Sequence, residues 1–114
     1  MEYSNTTNNI SENIQPYINQ TVPVYLYTSS WVTVVQDNNV LNASIKITNL
    51  AGNSWIMVRV LNSSGQIIAA PSSGIKPGQT SAPIYIPYNA GKYTVQAKSG
   101  VNGNYTINVT DQKQ

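Results

Sequence analysis

Side chains that could carry out chemistry are few in this chain of 114 residues. It contains no His and no Cys, which removes the commonest general base, thiolate nucleophiles and the usual zinc ligands. Of its four carboxylates, Glu2 and Glu12 lie in a polar N-terminal stretch, which leaves Asp37 and Asp111. A glycosidase-type acid pair would need those two, and both fall at expected loop or terminal positions. We therefore expect no enzyme activity and no catalytic residue.

Metal and phosphate sites are equally poorly supported. The run Asp37-Asn38-Asn39 is predicted to be a turn, and its oxygen-rich side chains are of the type that Ca²⁺ binds. Because Ca²⁺ takes six to eight oxygen ligands, this cluster falls far short of a site. Gly-x-Gly-x-x-Gly and phosphate-loop patterns are absent. We expect neither a metal nor a bound cofactor.

The strongest pattern is the N-glycosylation acceptor Asn-x-Ser/Thr, which occurs seven times. Its asparagines are Asn5, Asn9, Asn19, Asn42, Asn62, Asn104 and Asn108. An acceptor must be exposed, and several of these positions fall on the polar register of a predicted strand or open a predicted turn. Covalent N-glycans are therefore expected. The alternative is that polar residues face solvent in any case, in a chain this rich in Asn, Ser and Thr.

The elements that must position these residues are strands. Apolar and polar residues alternate with a period of two over Asn13–Tyr27, Asn42–Thr48, Tyr93–Lys98 and Asn104–Thr110. Shorter runs follow the same rule, turn signals recur every 8–12 residues, and no segment shows sustained helical periodicity. The sequence therefore predicts an all-β sandwich of seven to eight antiparallel strands with an extended N-terminal strand or tail. Asn49–Asn53 is predicted to be a loop.

The N-terminal region has more apolar alternation than a free tail needs. Residues 1–21 are predicted to be a tail and candidate donor strand, and residues 22–114 to form the domain. The donated apolar residues would be Ile10, Ile14, Ile18, Val22 and Val24, inserted into a neighbouring subunit. Pro16 and Pro23 argue against this, since each removes one ladder donor. The competing interpretation is that residues 14–27 form one long strand within their own domain.

The predicted strand over Trp55–Leu61 is apolar on both faces. Alternating positions are Ile56, Val58 and Val60 on one face and Trp55, Met57 and Leu61 on the other. A strand that is apolar on both faces is covered on both faces. Trp55, Met57 and Leu61 are therefore predicted to be a second subunit-contact face, covered either by a loop or by a neighbouring subunit. The eight Tyr and two Trp, with no Phe, also suit an interface.

A family resemblance covers residues 43–110. The segment Asn89–Ala97, NAGKYTVQA, resembles the F strand of an immunoglobulin-like domain. The resemblance implies that Tyr93 is the tyrosine-corner residue and that Val95 and Ile47 replace the two cysteines. It also implies that Trp55 is the strand C tryptophan. The stretch GIKPGQTSAPIYIP is similar to the proline-glycine turn and E strand of bacterial and archaeal surface modules of this type.

These features favour a structural role outside the cell. The first hypothesis is a secreted, glycosylated filament subunit, similar to archaeal thread-like filaments, that polymerises with copies of itself by donor-strand complementation. The second is a glycosylated capsid or turret protein of an archaeal virus, and the third is an adhesive module that binds surface carbohydrate. A net charge of +2 argues against nucleic acid, and no apolar run is long enough to span a membrane. The N-terminus lacks the features of a signal peptide.

Overall fold

The computed structural model describes residues 16–39, 43–87 and 91–113. Within those ranges the chain forms eight strands and no helix, so none of its elements is a helix long and apolar enough to cross a membrane. The strands are β1 Pro16–Leu26, β2 Val32–Asn39, β3 Ala43–Ala51, β4 Ile56–Leu61, β5 Ile67–Ala69, β6 Ile84–Ile86, β7 Gly91–Ser99 and β8 Gly103–Lys113. All strand pairs are antiparallel, and the predicted β-sandwich is confirmed.

The strands form two four-stranded sheets. The first sheet has the order β1-β8-β3-β6, and the second has the order β2-β7-β4-β5. The pairing is nested, because β1 pairs with β8, β2 with β7, β3 with β6, and β4 with β5. A chain that pairs with itself as one long hairpin and is then rolled into two sheets has the strand order of a jelly roll.

The immunoglobulin-like details are not confirmed. In that fold the last strand lies beside the strand that precedes it, whereas here β8 lies between β1 and β3, in the other sheet from β7. Trp55 precedes β4 and is 43% exposed, so it is not a buried strand tryptophan. Tyr93 is buried, but its hydroxyl donates to the side chain of Asp111 and not to backbone upstream.

The core lies between the sheets and follows the alternation of the sequence. The inward register of β3, β4, β7 and β8 is buried, while the intervening residues face out. Among the fully buried large side chains are Leu26, Ile45, Ile47, Ile56, Val58, Val60, Ile86, Tyr93, Val95, Tyr105 and Ile107. Burial of this apolar surface supplies the main stabilisation of the fold.

The predicted turn at Asp37–Asn39 is wrong, and the predicted loop at Asn49–Asn53 is wrong for its first three residues, because strand pairing continues through both. Asp37–Asn39 is the end of β2, where it pairs with β7. Asn49–Ala51 belongs to β3, and Asn49 is fully buried. The Asn49 amide donates to the carbonyls of Ser54 (3.1 Å) and Ile75 (3.0 Å), which compensates for burying these donors.

The first strand pairs with its own domain from Pro16 onward, so the predicted boundary after residue 21 falls inside β1. Ile18, Val22 and Val24 lie opposite residues of β8, and the two valines pack against the core. For these three residues the structure gives the competing interpretation, one long strand within the domain. Ile10 and Ile14 lie outside the described residues. Because β1 is an edge strand, it tolerates its two prolines.

Candidate assembly surface

The outer face of the second sheet carries a row of apolar side chains at the β4–β5 edge. Met57 and Leu61 take the outward register of β4, Trp55 precedes them, and Ile67 lies opposite Leu61 on β5. We call Trp55, Met57, Leu61 and Ile67 the apolar stripe. Trp55 and Ile67 are 43% and 55% exposed, and the other two are half-buried. The structure therefore brings the three predicted contact residues onto one face and adds Ile67.

Two glycines set the position of Trp55. A Cβ atom on Gly100 would lie 2.7 Å from Cε2 of the indole, and one on Gly74 would lie 3.2 Å from the Trp55 Cβ. The backbone N–H of Gly100 also donates to the Trp55 carbonyl at 3.1 Å. The ring therefore rests against backbone from two distant segments, which fixes an exposed aromatic group in place. Sequence reasoning missed this support because both glycines are far from Trp55 in the chain.

Beside the apolar stripe, two cations contact one aromatic ring. The Arg59 guanidinium lies 4.4 Å from the centroid of Trp31, and the Lys98 ammonium lies 4.9 Å from it. Arg59 also donates from Nε to Oε1 of Gln96 at 2.8 Å. Cation–π contacts of this kind hold long basic side chains flat against the sheet. This face therefore combines Trp, Met and Arg, the residue types enriched in protein interfaces.

The outer face of the first sheet is different. Thr21, Asn108, Thr48 and Thr80 lie side by side across it. The Asn108 amide donates to the Thr21 hydroxyl at 3.2 Å, and the hydroxyls of Thr48 and Thr80 are 2.8 Å apart. We call these four residues the polar row. Its members already bond to one another, so they gain little from a protein partner.

Four of the seven predicted glycosylation sites can be placed. Asn19 and Asn104 are exposed on the first sheet, whereas Asn62 and Asn108 are half-buried. Asn5, Asn9 and Asn42 lie outside the described residues. The first sheet therefore carries three acceptor motifs on its outer face.

The side-chain nitrogen to which a glycan would be attached is not equally accessible at the four placed sites. At Asn108 it donates to Oδ1 of Asn19 (2.9 Å) and to the carbonyl of Gln20 (3.3 Å), besides Thr21. At Asn62 it donates to Gln66, while Oδ1 accepts from two backbone N–H groups of the turn. The geometry thus favours Asn19 and Asn104 as accessible acceptors.

The two carboxylates of the domain converge on a buried tyrosine. Asp111 is fully buried and accepts a hydrogen bond from the Tyr93 hydroxyl, which joins β7 of one sheet to β8 of the other. Asp37 lies opposite Tyr93 on β2. Burial, then Asp111 and then Asp37, raises the pKa of Tyr93 well above its usual value.

Tyr93 and Asp111 are both fully buried, so their hydrogen bond links the two sheets inside the core. A cleft lined by Val58, Ile75 and Ile84 and a shallow groove lined by Trp55 and Met57 both lie elsewhere on the molecule. The described residues also contain no group of three or more His, Cys, Asp or Glu that could hold a metal ion. The sequence placed Asp111 near the terminus but did not reveal its partner, which lies in the opposite sheet.

No family model matches this chain, and no curated protein matches it. Among solved structures, it is similar to a chain described under "Bacillus endospore appendages form a novel family of disulfide-linked pili". The sequences are 11% identical, the match covers 97% of this chain and 98% of that one, and the TM-score is 0.53. At this identity the likeness shows the fold alone.

Weaker likenesses are to capsid structures of infectious bursal disease virus. For the VP2 subviral particle, identity is 10%, coverage is 91% of this chain and 33% of that chain, and the TM-score is 0.48. For the Gt strain, the corresponding values are 11%, 87%, 30% and 0.43. The chain thus spans about a third of these capsid chains, and TM-scores this low carry no argument about function.

Proposed function

We propose that this chain is a structural subunit that assembles with copies of itself into an extracellular filament, and that it is not an enzyme. The observation that carries the proposal is the apolar stripe on the outer face of the second sheet. A monomer that leaves Trp55 and Ile67 43% and 55% exposed on one face gains free energy by burying them against another copy.

The contrast between the outer faces supports this role. The apolar stripe and the Arg59–Trp31 contact offer aromatic, Met and Arg side chains together, as interface centres do. The polar row on the opposite face bonds internally, so it suits a surface that stays in water. A subunit whose apolar stripe binds a different surface of the next copy forms an open fibre, and a solvated outer face on the first sheet keeps such fibres soluble.

The pilus-forming protein noted above adds support of a coarser kind. It shares the fold over nearly the whole of both chains, and its structure is described as that of a pilus. A jelly-roll domain of this size can therefore serve as a filament subunit. Archaeal origin and a virion in place of a filament are separate hypotheses, and the proposal does not depend on the first.

Donor-strand assembly and glycosylation are parts of the proposal. Because residues 16–26 complete their own sheet, a donated segment is confined to residues 1–15, with Ile10 and Ile14 as the aliphatic side chains that a neighbour would bury. Glycans on Asn19 and Asn104 would coat the first sheet and leave the apolar stripe bare. Intact mass of native material checks the glycans, and a value equal to the polypeptide mass would rule them out.

Negative-stain electron microscopy and sedimentation velocity of the purified chain test the proposal. We expect filaments or a concentration-dependent increase in sedimentation coefficient for the wild type. Trp55→Ser should weaken this assembly, whereas Tyr85→Ser, which removes an exposed ring from the first sheet, should not. A wild-type chain that stays monomeric at high concentration, or that forms only closed shells, would overturn the filament role.

A further inference from the structure

A cleft of about 320 Å³ lies at the edge of the sandwich where β5 and β6 are short. It runs between residues 71–75, which follow β5, and residues 79–84, which lead into β6. Its apolar lining includes Val58, Ile75 and Ile84, each at most 7% exposed, and its polar lining includes Ser72, Ser73 and Thr80. An apolar floor between polar rims suits an extended peptide with an aliphatic side chain pointing inward.

The cleft exists because the edge of the second sheet is interrupted. Val60 pairs with Ala69, and Ile56 pairs with Ile75 through backbone bonds of 3.0 and 2.8 Å. On β4 the two paired residues, Val60 and Ile56, are four positions apart. On the partner segment Ala69 and Ile75 are six positions apart. The extra chain, residues 70–74, bulges away from β4 and leaves the space beside Val58 open.

The backbone N–H and C=O of Val58 face this space and are available to pair with an added strand. In an antiparallel ladder, alternate residues direct both N–H and C=O to the same neighbour. Ile56 directs both towards Ile75, so Val58 directs its own pair towards the same edge. In the register of Val60 and Ala69, the residue opposite Val58 is Pro71, which has no N–H. No backbone–backbone hydrogen bond joins residues 70–74 to Val58 in the described structure.

We infer that this cleft is the acceptor site for residues 1–15 of a second copy, with Ile14 or Ile10 against Val58, Ile75 and Ile84. The inference rests on the proposed self-assembly and names its acceptor, which differs from the apolar stripe. Val58 would supply the backbone bonds of an added strand, and the short rims would limit pairing to a few residues.

The spacing of its isoleucines and its negative charge favour the segment of residues 1–15 as the occupant of the cleft. Ile14 and Ile10 lie two and six residues before Pro16, so at about 3.3 Å per residue they extend at most about 7 and 20 Å beyond β1. A second copy whose cleft lies within that distance of Pro16 can receive either side chain. Glu2 and Glu12 are the charged side chains of the segment, whereas residues 16–114 hold all six Lys and Arg against two Asp, a net charge of +4. Lys76 lies beside the cleft, next to Trp55 and Met57.

A second copy is favoured over the chain's own segment because of where β1 lies. β1 and β6 are at opposite edges of the first sheet, and Pro16 pairs at the end of β8. To reach its own cleft the segment would have to reverse and cross the molecule.

Disulfide trapping tests the inference cleanly, since the chain has no Cys. The full-length Asn13→Cys chain is mixed with the Ser73→Cys chain under mild oxidation, and the mixed disulfide is measured by mass. The Asn13→Cys substitution leaves Ile14 unchanged, and Ser73 lies on the exposed rim of the cleft. The control partner is Lys46→Cys, exposed on the first sheet.

We expect about tenfold more mixed disulfide with Ser73→Cys than with Lys46→Cys, because binding raises the effective concentration of the two thiols. Adding Ile14→Asp to the Asn13→Cys chain should remove the excess.

Equal trapping by the two partners would overturn the inference. So would efficient ring closure in a diluted chain that carries both Asn13→Cys and Ser73→Cys, because the segment would then fill its own cleft. If the wild type forms filaments without excess trapping, the acceptor site is wrong and the proposed function stands. If the wild type never assembles, the proposed function fails whatever the trapping shows.

Discussion

The two outer faces of the sandwich arise from the same alternation of residues. Only the face of the second sheet leaves large apolar side chains exposed in a row. On the first sheet the polar row forms hydrogen bonds within the face, such as that between Thr48 and Thr80 at 2.8 Å. On the second sheet the apolar stripe leaves Trp55 and Ile67 43% and 55% exposed. Period-two patterning decides which residues face out, and the residue types at those positions decide whether the face binds water or protein.

The largest expected effect is on assembly, and it should be confined to one face. Leu61→Lys places a charge in the apolar stripe, and we expect it to weaken self-association by about 2–4 kcal/mol, as at interface hot spots. Tyr85→Lys places the same charge at an exposed position of the first sheet and should alter association by no more than about 0.5 kcal/mol. The critical concentration by sedimentation measures both. Equal effects would show that the faces are equivalent.

The next largest effect is on folding stability, because the Tyr93–Asp111 hydrogen bond joins the two sheets. Tyr93→Phe removes the hydroxyl that donates to buried Asp111, and we expect a loss of about 1–3 kcal/mol in the free energy of unfolding. Urea denaturation measures this loss. Tyr85→Phe, at an exposed position, serves as the control and should change little.

The burial of Tyr93, together with its bond to Asp111, gives folding stability a pH dependence of known sign. The pKa of Tyr93 is raised in the folded state, so its contribution to stability is complete below the ordinary tyrosine pKa of about 10. As the pH rises above that value, the unfolded chain loses the Tyr93 proton and the folded chain keeps it, so stability falls. We expect the wild type to lose more stability than Tyr93→Phe between pH 8 and about pH 11. Equal losses would contradict this role for Tyr93.

A smaller effect separates the position of Trp55 from the stability of the fold. In Gly100→Ala the new Cβ meets the exposed Trp55 ring at 2.7 Å, and the ring can swing outward. We expect assembly to weaken by about 1 kcal/mol while the urea midpoint stays nearly constant. Gly52→Ala is the matched control, since its Cβ would lie 2.0 Å from the buried Tyr105 ring. That overpacking should cost about 1–3 kcal/mol of folding stability.

Much of the fold could be predicted from local pattern. The buried register of Ile45 and Ile47, and of Tyr105 and Ile107, follows from alternation alone. Strand order does not, because β8 pairs with β1 across almost the whole chain and no short-range signal encodes that pairing. The nested pairing therefore appeared only in the structure, and with it the correct role of residues 16–26.

The candidate surface was predictable to a similar extent. Apolar residues on both sides of β4 predicted that Trp55, Met57 and Leu61 are covered by a loop or by a neighbouring subunit, and the structure places them on one outer face. Ile67 and the support from Gly100 come from distant segments, so periodicity could not reveal them. The burial of Asp111 was missed for the same reason, since Tyr93 lies 18 residues away and in the other sheet.

Hydroxyl-radical footprinting of assembled against dispersed protein tests the central claim most directly. The probes are Trp55 and Met57 in the apolar stripe, and the exposed Tyr25 and Tyr85 on the first sheet. If the second sheet forms the subunit contact, assembly should protect Trp55 and Met57 and leave both tyrosines as reactive as before. Protection of Tyr25 and Tyr85, with unchanged oxidation of Met57 and Trp55, would contradict the account.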